Sequence, residues 1–182
     1  MIIWLTGRPC SGKTTLAHSV SDRFFRLGLR TQILDGDEIR SALWPELGYT
    51  VLERAHNVLR FAFLATMVAK LGGIPIVSIV SPNRLVRNEI KQQFGQRNEP
   101  FFEIYVNAPS IICKSRDVKG MYAKAKLGGI TNFTGVDADY EAPFNPDVEC
   151  LTDIETIQES TNKIMEVVFP TRLTFTSPRN NL

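Results

Sequence analysis

The sequence predicts a three-layer α/β fold in which helices flank a five-stranded parallel sheet. Short apolar runs alternate with longer segments of helical apolar spacing along most of the chain. The run at residues 74–80 is apolar almost throughout, which is typical of a strand buried on both faces. Polar stretches follow three of the predicted strands, and parallel strands bring such stretches together at one edge of a sheet. We therefore expect a ligand site at that edge.

The composition is that of an ordinary globular protein of 182 residues with a net charge of +2. We expect one domain over residues 1–170 and a polar tail over residues 171–182. The net charge argues neither way about nucleic acid, and we expect no nucleic-acid partner. The longest apolar runs are short and carry Pro, Gly or Ser, so we expect no membrane partner. Three widely spaced cysteines match neither a disulfide framework nor a metal site, and we expect a cytoplasmic location.

The first strand, at residues 2–5, leads into a glycine-rich loop and then into a helix. The loop fits the pattern G-x-x-x-x-G-K-[ST], in which backbone N–H groups cradle phosphates at the helix N-terminus. A chance match is the alternative, and the flanking strand and helix disfavour it. We predict that this P-loop binds ATP through Gly7, Arg8, Pro9, Cys10, Ser11, Gly12, Lys13, Thr14 and Thr15.

Three side chains of the loop have separate expected roles. Lys13 can reach the β- and γ-phosphates, and the Thr14 hydroxyl can ligate Mg²⁺. Cys10 is either a small filler, which we favour, or an oxidation-sensitive thiol.

The second strand, at residues 31–34, ends at Asp35-Gly36-Asp37, and a helix begins at Glu38. The third strand ends in Ser81 without an acid, so the acids of the site must come from here. Our hypothesis is that Asp37 orients the acceptor hydroxyl or acts as its base, while Asp35 helps to hold the site or the metal-bound waters. The alternative is a polar turn that caps the following helix.

Thr50 is the expected N-cap of a long helix that runs to about residue 71. Arg54 and Asn57 share one face of this helix, and Arg40 comes from the preceding segment. Arginine favours bidentate contact with phosphate or sulfate, although each arginine taken singly is more typical of a solvated surface charge.

The second half of the chain continues the alternation. Ser81 is the expected N-cap of the next helix, with Pro82 at its first position. Strands follow at residues 101–106 and 148–151, separated by one helical stretch at residues 108–126 and a loop. Asp153 is the expected cap of the last helix, whose core face would carry Ile154, Ile157, Thr161, Ile164 and Val168.

A basic stretch from Arg116 to Lys126 precedes the hinge-like pair Gly128-Gly129. We expect a mobile lid that closes over phosphates and excludes water. A charged surface helix is the alternative. Phe133, an aromatic residue in a polar loop, would stack on a base or pack in the core.

Taken together, these motifs resemble the adenylyl-sulfate kinase (APS kinase) family. The resemblance runs from residue 2 to about residue 152 and depends most on residues 116–122, 133–137 and 140–143. It implies a P-loop kinase fold, Mg²⁺ and a homodimer. It also implies transfer of the ATP γ-phosphate to the 3′-hydroxyl of adenosine 5′-phosphosulfate (APS), which gives PAPS in sulfate activation.

The resemblance also implies roles for single residues. Asp37 becomes the base and, with Lys13 and Ser81, forms the catalytic set, while Arg116 joins the ATP site. Tyr49 and Phe133 would sandwich the adenine of the acceptor. The residues that hold the acceptor would be Asp35, Arg40, Tyr49, Arg54, Asn57, Val80, Ser81, Lys119 and Phe133.

Two other functions stay open at this point. Departures from the family pattern lie mostly among residues that would line the acceptor pocket, Glu38 and His56 among them. They leave room for a related kinase that phosphorylates another nucleotide, such as a cytidine diphosphoramidate, in polysaccharide decoration. A nucleotide switch without phosphotransfer is weaker, because the only Asn-Lys pair, at Asn162, lacks the base-reading pattern.

Overall fold

The computed structural model describes residues 1–118, 120–127, 134, 136 and 138–170. In that part of the chain, five strands alternate with seven helices. In chain order they are β1 (Ile2–Thr6), α1 (Lys13–Arg26), β2 (Thr31–Asp35), α2 (Gly36–Leu43), α3 (Val51–Lys70), β3 (Ile74–Ser78), α4 (Arg84–Gln96), β4 (Phe101–Asn107), α5 (Ser110–Arg116), α6 (Met121–Lys126), β5 (Val148–Leu151) and α7 (Ile157–Val168).

All five strands are parallel and form one sheet in the order β2-β3-β1-β4-β5. The prediction of a five-stranded parallel sheet flanked by helices is therefore confirmed. The chain leaves β1 for the edge strand β2, returns to β3 beside β1, and then crosses to β4 and β5. Because the direction of winding reverses at β1, the crevice at its carboxyl end is where a ligand is expected.

Each face of the sheet packs against its own layer of helices. On one face, Leu16 and Phe24 of α1 and Ile164 of α7 pack with the apolar side chains of the strands. On the other face, Phe61 of α3 and Phe94 of α4 pack with the opposite side chains. Since β1 is buried along its whole length, the loop that follows it starts from a rigid base.

The long helix α3 forms as predicted. The Thr50 hydroxyl accepts a hydrogen bond from the backbone N–H of Glu53, and the Glu53 carboxylate accepts from the backbone N–H of Thr50. This capping box satisfies two backbone donors that a helix start otherwise leaves unpaired. Gly72 follows the helix with φ of 80°, which suits the left-handed turn after a helix end.

Two predicted N-caps are wrong. Helix α4 is capped by Asn83, whose side chain accepts from the Val86 backbone N–H, so Ser81 is not the N-cap. Ser81 is instead buried and turned inward with φ of 37°. Helix α7 is capped by Thr156 and not by Asp153.

The core face of α7 is correspondingly shorter than predicted. Thr161, Ile164 and Val168 are buried, whereas Ile154 precedes the helix and is exposed. Ile157 stands at the first helical position and is also exposed. The apolar spacing therefore led us to predict a core face for α7 that is about one helical turn too long at its start.

The stretch predicted as one helix at residues 108–126 is two helices, α5 and α6. The Asp117 carboxylate accepts hydrogen bonds from the backbone N–H groups of Tyr122 and Ala123, which caps α6 from the turn between the helices. Gly120 takes the positive φ of 63° that this turn requires. Among the described residues, no helix combines the length and the apolar character needed to cross a bilayer.

Candidate active site

One cavity of about 560 Å³ lies at the carboxyl edge of the sheet. Its volume is within the range of small-molecule sites. It is lined by the P-loop, by residues that follow β2 and β3, by the start of α3 and by the segment between β5 and α7. Three of the polar stretches that the sequence places at strand ends therefore meet in one space.

The P-loop is packed against a neighbouring strand. A Cβ atom on Gly7 would lie 2.3 Å from the carbonyl oxygen of Val106, so only glycine allows this close approach. Gly12 has φ of 101° immediately before α1 begins at Lys13. The backbone N–H groups of the first turn of α1 therefore face the cavity, as an anion site requires.

Lys13 is held across the P-loop by backbone oxygens. Its Nζ donates to the carbonyl oxygens of Gly7 at 3.1 Å and Arg8 at 2.7 Å. Burial lowers the pKa of Lys13 to about 8, and the nearby Asp37 carboxylate partly offsets that shift. A triphosphate beside the ammonium group would favour its charged form.

Asp35 caps the following helix, which is the alternative that the sequence left open, and it also contacts the start of α1. One carboxylate oxygen caps α2 by accepting from the backbone N–H of Asp37 at 3.0 Å, so the helix begins at Gly36 and not at Glu38. The other oxygen accepts from the Thr14 hydroxyl at 2.8 Å. Asp37 lies in the first turn of α2, is exposed, and lines the cavity.

Two arginines fix the loop between α2 and α3. Arg40 donates to the carbonyl oxygens of Leu47 and Gly48 and lies over the Tyr49 ring, 4.2 Å from its centroid. Arg54 donates from Nε to the Tyr49 carbonyl oxygen at 2.7 Å. Both arginines and Tyr49 line the cavity, so the loop forms one of its walls.

Two further contacts on this side involve residues to which the sequence assigned no role. Arg54 Nη1 donates to the Thr134 hydroxyl at 2.8 Å, across 80 positions of the sequence. Asn57 accepts from the Trp44 indole N–H at 2.8 Å. Trp44 could have been noticed as an aromatic residue in a polar stretch, whereas Thr134 lies in the motif at residues 133–137, within which only Phe133 was given a role.

Ser81 lies in a buried hydrogen-bond network behind the cavity wall. Its hydroxyl donates to Thr6 Oγ1 at 2.9 Å and accepts from the Trp4 indole N–H at 3.1 Å. The Tyr140 hydroxyl lies 2.9 Å from the same Thr6 oxygen. Residues 80–82 line the cavity, while the Ser81 side chain is 3 % exposed and points into the protein.

Arg116 contacts the P-loop from the other side. Its guanidinium donates to the carbonyl oxygens of Thr152 at 2.6 Å and Cys10 at 3.5 Å. The Thr152 hydroxyl donates to the Ser11 carbonyl oxygen at 2.6 Å. Thr152 is therefore a supporting residue of the P-loop that the sequence did not reveal.

Cys10 packs against a small cluster around Ala108, Cys113 and Tyr122. This packing agrees with the interpretation of Cys10 as a filler. Lys119 and Phe133 lie outside the described residues, as do residues 128–132, so their roles and the lid stay predictions.

The fold and the site define a class of protein. A parallel sheet, a P-loop and a cavity that extends from the P-loop to a second set of polar side chains are the features of a P-loop kinase. The family model described as adenylylsulphate kinase matches residues 1–151. The chain belongs to the adenylylsulphate kinase family.

Relatives and solved structures support this membership. The chain is 43 % identical over 164 residues to the adenylyl-sulfate kinase of Picosynechococcus sp., which covers 90 % of each chain. It is 44 % identical over 164 residues to the probable adenylyl-sulfate kinase of Synechocystis sp., with the same coverage. The structure is similar to that of the Mycobacterium tuberculosis APS kinase in complex with AMPPNP and APS. The TM-score is 0.87 at 34 % identity, and the match covers 92 % of this chain and 96 % of that one.

Proposed function

We propose that the protein transfers the γ-phosphate of ATP to the 3′-hydroxyl of APS and so forms ADP and PAPS. The observation that carries this proposal is the continuity of the cavity. It joins the P-loop to the wall formed by Arg40, Tyr49 and Arg54. Asp37 also lines the cavity, near Lys13 and on the same helix as Arg40. Two nucleotides that enter from opposite ends would meet at the Asp37 carboxylate. A relative with 34 % identity has been solved with an ATP analogue and APS together.

The chemistry follows from the positions of the side chains. Asp37 accepts the proton of the 3′-hydroxyl while the hydroxyl oxygen bonds to the γ-phosphorus. The bond from that phosphorus to the bridging oxygen of ADP breaks, and ADP leaves. Lys13 supplies positive charge to the oxygens of the transferred group. Because the P-loop already orders its backbone donors, little reorganisation is needed when the negative charge moves.

The residues beside the P-loop fit a magnesium ion. The Thr14 hydroxyl and the Asp35 carboxylate are hard oxygen ligands, and they lie 2.8 Å apart at the start of α1. No group of three or more His, Cys, Asp or Glu side chains in the described part of the chain could hold a metal alone, so phosphate oxygens would complete the site. When bound, the ion would supply charge neutralisation on the β- and γ-phosphates.

We also propose that APS binds along the wall made by α2 and α3. The guanidinium groups of Arg40 and Arg54 offer planar donors to the phosphosulfate group. The Tyr49 ring offers a surface for the adenine, with Arg40 on one of its faces. Lys119 and Phe133 remain the expected partners from the following segment.

The proposal includes a homodimer in the cytoplasm. Four exposed apolar side chains form a stripe along α3 at intervals of four or seven positions, and a second copy of the chain would cover them. They are Leu52, Leu59, Phe63 and Met67. All three cysteines are free thiols, which supports a reducing compartment. Sedimentation of Phe63→Glu, which should be monomeric, beside the unaltered protein tests the dimer.

A panel of acceptors tests the proposed reaction. The purified protein is incubated with γ-labelled ATP and, in turn, APS, a cytidine diphosphoramidate and other nucleotides. We expect rapid labelling of APS. Labelling of only the cytidine compound would instead support the related kinase, and ATP hydrolysis without any labelled acceptor would support a nucleotide switch.

A further inference from the structure

One buried arginine lies directly behind residues 80–82, which line the cavity. Arg87 of α4 is 1 % exposed and forms an ion pair with Glu103 of β4, with Nε donating to the carboxylate at 2.7 Å. Its Nη1 donates to the carbonyl oxygen of Ser81 at 2.7 Å, and its Nη2 donates to the carbonyl oxygen of Glu141 at 2.7 Å. One planar guanidinium therefore joins three separate segments of the chain.

The residue that Arg87 holds has an unusual backbone. Ser81 has φ of 37°, a conformation that residues other than glycine rarely adopt. Such a conformation persists only where the surroundings determine it, and it is often found in binding sites. Here the side chain is held by Trp4 and Thr6, while the carbonyl group is held by Arg87.

The same backbone lines the cavity. Residues 80–82 form part of the cavity wall, whereas Arg87 is not among the residues that line it and contacts Ser81 from behind. Turning the Ser81 carbonyl away from Arg87 would release the strained turn and move this wall. Arginine can hold these three acceptors at once because its planar guanidinium group carries donors that point in fixed directions. A lysine would have to reach the same acceptors from a single ammonium nitrogen.

We propose that Arg87 is a positioning residue for the acceptor nucleotide. It holds residues 80–82 in the conformation that receives the acceptor and does not itself touch substrate. This inference rests on the proposed phosphotransfer, since it assigns that wall to the acceptor and not to ATP.

The test separates positioning from simple stability. Arg87→Lys keeps a positive charge for Glu103 but loses the planar guanidinium that also donates to the carbonyl oxygens of Ser81 and Glu141. Arg87→Met/Glu103→Leu removes both charges together. Proteins often remain folded when both members of a buried ion pair are replaced by apolar residues. Arg84→Met is the matched control, because Arg84 donates from Nε to the Ala142 carbonyl oxygen in the same segment. No contact described for Arg84 reaches Ser81.

Thermal unfolding identifies which variants are folded, and steady-state kinetics then gives separate KM values for acceptor and ATP. We expect kcat/KM for the acceptor to fall about 10- to 100-fold in Arg87→Lys and in the double variant. The KM for ATP should stay within about twofold, and Arg84→Met should change neither KM by more than that.

Three outcomes would overturn the inference. They are an unchanged acceptor KM in the folded double variant, an equal change in both KM values, or the same change in Arg84→Met. If the unaltered protein does not phosphorylate APS, the proposed function fails separately. The comparison is then made with the acceptor that the panel identifies.

Discussion

The two ends of the cavity are built differently. At the ATP end, one short continuous segment makes the site, because the P-loop directly connects β1 to α1. At the acceptor end, side chains from separate elements make it. Arg40, Arg54 and the residues 80–82 come from α2, α3 and the end of β3.

This difference teaches where each end is sensitive to change. Backbone donors at the ATP end tolerate most side-chain substitutions, apart from those of Gly7, Gly12, Lys13 and Thr14. The acceptor end depends on a chain of contacts in which Glu53 holds Gly48 and Arg54 holds Tyr49. Small changes there should therefore alter the acceptor KM while they leave the ATP KM unchanged.

The largest expected effect comes from Asp37, which lies between the two ends. Asp37→Asn should lower kcat by about 10²- to 10⁴-fold, because the amide cannot accept the proton of the acceptor hydroxyl. ATP binding, measured by calorimetry, should be retained. Glu38→Gln, which changes the adjacent exposed acid, is the control and should keep kcat. Near-normal turnover in Asp37→Asn would remove Asp37 from the mechanism.

A second test concerns the ATP end and measures how kcat/KM for ATP changes with pH as Lys13 loses its charge. Its pKa of about 8 belongs to the empty site, so the ammonium is charged below that pH and neutral above it. Because kcat/KM reports the free enzyme, kcat/KM for ATP should fall about tenfold per pH unit above pH 8. Bound phosphates favour the charged form, so kcat should show no such decline near pH 8.

The control for this profile is Lys13→Ala. It should lower kcat by about 10²- to 10³-fold and abolish the decline in kcat/KM near pH 8. A profile that still declines at the same pH in Lys13→Ala would assign the titration to another group.

A third test concerns the acceptor end. Tyr49→Ala should raise the acceptor KM by roughly 5- to 150-fold, because it removes a stacking surface and the ring beneath Arg40. Tyr49→Phe keeps the ring and should stay within about twofold. Separate titrations of ATP and acceptor measure the two KM values. A larger effect on the ATP KM would move Tyr49 to the other end of the cavity.

The smallest expected effect uses the two capping boxes as a matched pair. Thr50→Ala and Thr156→Ala should each lower Tm by about 2–4 °C through loss of a helix cap. Thr50 adjoins the acceptor wall, whereas Thr156 lies beyond Thr152 near the P-loop. We expect Thr50→Ala to raise only the acceptor KM and Thr156→Ala only the ATP KM, each about two- to threefold. If both variants raised the two KM values equally, the assignment of one end of the cavity to ATP and the other to the acceptor would be contradicted.

The sequence predicted the fold well because its signals are local. Apolar runs located all five strands, and the Thr50 capping box and the P-loop are each written within a few consecutive positions. Most of the P-loop residues named from the motif line the cavity, and Gly7, Arg8 and Ser11 are the ones that do not.

The error at Ser81 and the two roles that the sequence missed have a shared physical cause. Ser81 followed by Pro82 has the local pattern of a helix start, yet the partners Trp4 and Thr6 lie more than 70 positions away and draw the hydroxyl inward. Thr134 and Thr152 are likewise defined by contacts distant in sequence. Such roles depend on tertiary structure, so periodicity and motif spacing cannot reveal them.

The hydroxyl of Thr152 has a consequence for any attempt to shorten the protein. A truncated form that stopped at Leu151, where the family match ends, would retain every motif that marks the family. It would nevertheless lose the hydrogen bond from Thr152 to the Ser11 carbonyl oxygen and the Thr152 carbonyl oxygen to which Arg116 donates. It would also lose α7, which packs against α1. The smallest autonomous unit must therefore extend through α7, beyond the last recognisable signature.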